Sequence, residues 1–132
     1  MILPNISKFI KQYVTKRDKS FFDNDLINNK ERLTKEIRGK SILVIGGAGT
    51  IGSSFIKAAL NYSPSALIVV DNNENGLTEL TRTLRSDSNI IVPENYLTYP
   101  MSFNSDVFYK MLKKHGKLDI VANFAAHKHV RS

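Results

Sequence analysis

The sequence predicts an α/β fold: a parallel, doubly wound sheet of about four strands with flanking helices, preceded by two N-terminal helices. Three observations carry that prediction. From residue 41 onward, apolar runs of strand length alternate with stretches of helical period. Four of the seven glycines, Gly46, Gly47, Gly49 and Gly52, crowd directly behind the first apolar run, Ser41-Ile42-Leu43-Val44-Ile45. The second run, Ala66-Leu67-Ile68-Val69-Val70, ends on an acid, Asp71.

Each element has local support. Over residues 5–17, Ile6, Phe9, Ile10, Tyr13 and Val14 fall at helical spacing, with Lys8, Lys11, Lys16 and Arg17 largely elsewhere on the wheel. A second helix over 25–38 carries Leu26, Leu33 and Ile37, and Gly39 suits its C-terminal cap. Strand 41–46 leads through the glycines to a helix over 50–61, and Pro64 closes the loop before strand 66–71. A helix over 75–86 shows the stripe Leu77, Leu80 and Leu84. A third strand is placed at 96–101 although Pro100 interrupts it. Ser105 caps a helix over 105–115 with Val107, Phe108, Met111 and Leu112 inward, and strand 118–124 follows. Residues 1–40 therefore read as a helical extension, and 41–132 as a Rossmann-like α/β domain.

The glycines have a chemical reason. Gly47, Gly49 and Gly52 satisfy G-x-G-x-x-G, and Gly46, Gly49 and Gly52 the wider G-x-x-G-x-x-G. A side chain at the turn would keep the backbone away from a pyrophosphate, and a Cβ at the last glycine would push the helix off the strand. The helix then presents free N–H groups and its positive dipole end to the anion, without lysine. Asp71 follows Gly52 by about twenty positions, where an acid meets the adenosine ribose. Its carboxylate would accept ribose hydroxyls and repel a 2′-phosphate, favouring NAD over NADP.

The remaining composition narrows the class. The length suits one domain, and the absence of cysteine excludes disulfides, thiolate metal sites and cysteine nucleophiles. With no apolar run of membrane-spanning length, a cytoplasmic location is expected. The net charge of +7 is uneven: the first forty residues carry ten basic and five acidic groups. A solvated helical face and attraction for anionic nucleotides account for this excess, so neither nucleic acid nor membrane is expected as partner. His115, His127 and His129 lack the further ligands of a metal site. Asp119 reads as a turn residue leading into the fourth strand.

The closing stretch Asp119-Ile120-Val121-Ala122-Asn123-Phe124-Ala125-Ala126-His127-Lys128-His129-Val130 resembles the fourth strand and turn of extended short-chain dehydrogenases/reductases. More narrowly it is similar to the polysaccharide-biosynthesis branch, the UDP-N-acetylglucosamine 4,6-dehydratase-like enzymes, with an alanine pair followed closely by Lys-His-Val. The resemblance covers 41–131. It implies a phosphate turn at Gly46, Gly49 and Gly52 with Thr50 and Ile51 at the helix start, and a ribose acid at Asp71 followed by Asn72. Asn123, Ala125 and Ala126 would lie against the nicotinamide ribose, and Lys128 and His129 would face a UDP-N-acetylglucosamine-like nucleotide sugar. The implied chemistry is hydride removal from sugar C4 to the nicotinamide, loss of water across C5 and C6, and hydride return at C6.

Two departures qualify the resemblance. Ser102 stands where such enzymes often carry an adenine-recognising Asp. The catalytic Tyr-x-x-x-Lys, expected after the fourth strand, has no counterpart there; Tyr109 and Lys113 have the spacing but fall within the third helix of the alternating pattern, so no catalytic residue is assigned. The chain is thus expected to be the cofactor-binding portion of a nucleotide-sugar dehydratase or epimerase, incomplete relative to the family fold and inactive alone. An open sheet edge would then be covered by the N-terminal helices or by homo-oligomerisation. The competing expectation is a stand-alone nucleotide-binding or oligomeric interaction module.

Overall fold

The computed structural model describes residues 22–125; the expected helix over 5–17 and Ala126, Lys128 and His129 lie outside them. The chain divides between Arg32 and Leu33, and each part is described by itself. The helix expected over 25–38 is instead two: α1, Asp23–Asn28, and α2, Lys30–Ile37. The break is at Asn29, whose backbone N–H and side-chain Nδ2 both donate to the Asp25 carbonyl (3.0 and 2.7 Å). An asparagine side chain that takes a backbone carbonyl competes with helix propagation, as its low propensity reflects.

From β1, Ser41–Ile45, the expected alternation holds: α3, Thr50–Leu60; β2, Ala66–Asp71; α4, Glu74–Ser86; β3, Asn95–Pro100; α5, Asp106–His115; β4, Ile120–Asn123. The four strands form one parallel sheet in the order β3-β2-β1-β4. Pro100 ends β3 opposite Asp71, an edge position that tolerates a missing N–H. Gly39 (φ +71) follows α2, and the Ser105 hydroxyl oxygen accepts from Phe108 N–H to cap α5, both as the sequence suggests.

Burial on both faces makes β1 and β2 near-continuous apolar runs. On one face Ile42, Val44, Leu67 and Val69 pack with Ile56, Ala59 and Leu60 of α3 and Leu77, Leu80 and Leu84 of α4. On the other, Leu43, Ile45, Ile68 and Val70 meet Phe108 and Met111 of α5. Each fully buried Val, Leu or Ile contributes about 1.5–3 kcal/mol. Val121 is in register with Leu43 but 58% exposed, so α5 does not reach across β4.

β4 is pinned to β1 at its start. Ser41 donates through its backbone N–H (3.0 Å) and hydroxyl (3.1 Å) to Asp119 Oδ2, and these bonds hold the Asp119 carboxyl below the ordinary carboxylate range. A depressed folded-state value means that the contribution is present above the unfolded value and is lost as pH falls through the folded one. Asp119→Ala is therefore expected to melt lower than the wild type at pH 7. The difference should shrink in thermal melts below about pH 4. A difference that is constant from pH 7 to pH 2 would exclude the ionised clamp.

Candidate functional site: a cleft at the strand ends

The order β3-β2-β1-β4 reverses direction beside β1, because β2 and β3 extend to one side and β4 to the other. At such a switch point the loops leaving adjacent strands part and open a crevice beyond their carboxyl ends. A cleft of about 470 Å³ lies here. Ile45, Gly46, Ala48 and Gly49 form its floor, and Phe124 and Ala125 its β4 side. Val70, Asp71, Asn72 and Asn73 line the β2 end, and Met101, Ser102, Phe103 and Asn104 the β3 end.

The glycines at its floor do different work. Gly46 has φ +76, and a Cβ on it would stand 2.7 Å from Ala125 N and 2.8 Å from the Phe124 carbonyl carbon. It lets the segment after β4 cross directly over the turn, where Phe124 N–H donates to the Ile45 carbonyl (2.8 Å) and the Phe124 ring packs 5.2 Å from that of Phe55. A Cβ on Gly47 would strike Val69, and one on Gly52 would strike the Gly46 carbonyl and stand 2.9 Å from Gly47 Cα. Gly49 differs: a Cβ there would meet only the Gly46 oxygen, at an ordinary 3.6 Å, and its backbone (φ −74, ψ 171) suits any residue. No packing within the described residues requires glycine at 49. The position faces the cleft and precedes α3, whose N-terminus receives no side-chain cap, leaving its first-turn N–H groups to an anion.

Asp71 ties the cleft together. Its Oδ2 accepts from Ala48 N–H (3.0 Å) in the glycine turn, and its Oδ1 from Asn73 N–H (2.9 Å). Each oxygen retains further acceptor capacity. Asn73 caps α4 by accepting from Gly76 N–H (3.0 Å), and a Cβ on Gly76 would stand 2.9 Å from that of Ala48. The start of α4 is thereby locked against the glycine turn.

Residues 42–132 match the family described as "Polysaccharide biosynthesis protein". The chain belongs to that family. It is 27% identical over 100 residues to the probable polysaccharide biosynthesis protein EpsC of Bacillus subtilis (strain 168), covering 74% of this chain and 16% of EpsC. Among solved structures it resembles Pen from Bacillus thuringiensis (26% identity, TM-score 0.58, 71% of this chain and 27% of Pen). It also resembles Bordetella bronchiseptica WbmF in complex with NAD+ and UDP (23% identity, TM-score 0.50, 71% of this chain and 25% of WbmF), a likeness of fold. The chain spans 15–16% of the length of the curated relatives it matches.

In this family member Gly46, Gly49, Asp71, Asn72, Ser102 and Ala125 converge on the cleft. Thr50 and exposed Ile51 lie on the first turn of α3 without lining it, and Gly52 is buried beneath the turn. Asn123 ends β4, where its Oδ1 accepts from Ala125 N–H (2.9 Å) and bends the chain over Gly46. Tyr109 and Lys113 lie on α5, away from the cleft lining, and His115 Nε2 is hydrogen bonded to the Tyr99 hydroxyl at 2.7 Å. Among the described residues no helix is long and apolar enough to cross a membrane. Sequence reasoning missed Asn104 and Gly76. A glycine inside the first turn of a helix is costly enough to have been a signal for the second; nothing local distinguishes Asn104 from a polar loop residue.

Proposed function

We propose that this chain is the NAD(P)-binding portion of a nucleotide-sugar 4,6-dehydratase or epimerase of polysaccharide biosynthesis, with NAD preferred to NADP. The observation that carries the reading is Gly49, a glycine facing the cleft at a position where the protein itself leaves room for a side chain. A pyrophosphate lying on the backbone would occupy that room, with Gly46 and Gly52 shaping the turn and Thr50 and Ile51 offering first-turn N–H groups. Asp71, with Asn72 beside it, would receive the ribose hydroxyls. Ser102 would border adenine, and Asn123, Ala125 and Ala126 the nicotinamide ribose. Lys128 and His129 would face a UDP-N-acetylglucosamine-like sugar nucleotide, consistent with WbmF, whose structure holds NAD+ and UDP.

The bound cofactor supplies the hydride acceptor; the residues of this chain bind and orient it. Residues 41–132 form the cofactor domain in this proposal, residues 1–40 are a helical extension, and the chain alone binds without turnover. Calorimetric titration with NAD, NADP and UDP-N-acetylglucosamine tests it. Saturable NAD binding, tighter than NADP binding, is the expected result. Absence of binding by all three would overturn the reading in favour of an interaction module.

A further inference from the structure

If a dinucleotide lies with its pyrophosphate on Gly49 and a ribose at Asp71, the position of its base follows from the strand register. Asp71 pairs with Pro100, and Met101 N–H donates to the Asp71 carbonyl (3.1 Å). The chain that leaves β3 therefore runs immediately beside the ribose carboxylate, and Met101 to Asn104 form the end of the cleft beyond it. Half-buried Met101 and Phe103 supply apolar surface there, suited to a flat heterocycle, and Ser102 and Asn104 supply its polar groups.

Those two polar side chains are not independent. The Ser102 hydroxyl donates to Asn104 Oδ1 at 2.9 Å. Ser102 is itself held in a tight turn, since its carbonyl accepts from both the backbone N–H (3.2 Å) and the hydroxyl (2.7 Å) of Ser105, the residue that caps α5. The cap of a core helix thus holds Ser102, and the Ser102 hydroxyl in turn is hydrogen bonded to the oxygen end of the Asn104 amide. An amide with its oxygen so held keeps a second lone pair on Oδ1 and two N–H donors on Nδ2. That pair is complementary to the amino group and N1 of adenine, as an asparagine amide is to the amino group and N7 when it reads adenine bidentately in other settings.

We infer that Asn104 is the residue that selects adenine in the cofactor, with Ser102 as its positioning residue. The inference rests on the cofactor reading above. It moves base recognition from position 102, where the family resemblance implied it, to a side chain two residues on. A hypoxanthine base, with an oxygen in place of the amino group and a proton on the neighbouring nitrogen, opposes the amide in the orientation that Ser102 holds.

The test is calorimetric titration of the chain with NAD and with nicotinamide hypoxanthine dinucleotide, for the wild type, Asn104→Ala and Ser102→Ala. The wild type should prefer NAD by about tenfold, the size of one good bidentate pair. Asn104→Ala should bring the two ligands to within about twofold, chiefly by weakening NAD, and Ser102→Ala should give an intermediate ratio. Asn104 is exposed, so its variant should melt with the wild type; the ratio of affinities also cancels any general loss of folded protein. A wild type that binds NAD without preferring it, or an Asn104→Ala variant that keeps the preference, overturns the base assignment alone. A wild type that binds neither ligand overturns the cofactor reading and this assignment together.

Discussion

Gly49→Val is expected to lower NAD affinity about a hundredfold, close to 3 kcal/mol, while Gly52→Ala is expected to destabilise the fold itself by about 3 kcal/mol. The two glycines belong to the same motif but answer to different constraints. A Cβ at 52 would collide with the backbone of Gly46 and approach Gly47 Cα at 2.9 Å, and backbone cannot rotate aside, so α3 must lift from β1. That movement would loosen the contacts of Ile56, Ala59 and Leu60 with Ile42 and Val44, which form the larger part of the core on that face. Against a typical total stability of about 5–15 kcal/mol, such a loss is severe. At 49 the nearest atom to a new Cβ is an oxygen at 3.6 Å. The milder Gly49→Ala should cost at most about 1 kcal/mol through the poorer N-cap, and so should melt within several degrees of the wild type while already weakening NAD. Thermal melts alongside calorimetry separate the two classes. Equal NAD affinity in Gly49→Val and wild type would remove the main support for the pyrophosphate site.

Asp71→Ala is expected to weaken NAD by at least about tenfold and, in the same variant, to narrow the gap between NAD and NADP. Two consequences of one carboxylate are combined here. Its charge opposes a 2′-phosphate, and its oxygens accept the N–H groups of Ala48 and Asn73. Removing both acceptors leaves two donors to find water, a stability cost of about 1–3 kcal/mol where the group is partly buried. Asp71→Asn distinguishes the contributions. Its single amide oxygen can accept from Ala48 or from Asn73 but not from both, and it carries no charge, so it should recover melting temperature only in part and should not recover discrimination against NADP. Calorimetric dissociation constants for both dinucleotides in all three proteins provide the measurement. Unchanged affinities in Asp71→Ala would place the ribose elsewhere.

The fold was readable because its signals are local. Buried parallel strands are short apolar runs, helix α4 announces itself by its leucine spacing, and α5 by its Ser105 cap and apolar stripe. Three features fall elsewhere than expected: one expected helix is split into α1 and α2 at Asn29, whose side chain also bonds the Asp25 carbonyl; β3 ends at Pro100, one residue early; and β4 begins at Ile120 rather than at 118. The cleft was readable in outline through Gly46, Gly49 and Asp71, which line it. Its detailed composition was not. Thr50 and Ile51 adjoin the glycine turn in sequence yet do not line the cleft, because successive helical side chains point in different directions around the axis, and that of Ile51 stands out into solvent.

Chain order and residue type thus suffice for an alternating α/β sheet, a glycine turn after β1 and an acid after β2, since each is encoded within a few consecutive residues. They do not say which glycine is dispensable to the protein. That depends on what crosses the turn from residues 124 and 125, on Val69 in the next strand and on Ala48 meeting α4, all contacts between segments far apart in the chain. Nor could they join Asn104 to the cleft. The parallel register that brings Pro100 beside Asp71, and the Ser105 cap that folds Ser102 toward Asn104, exist only once β3 has paired with β2 and α5 has packed on the sheet.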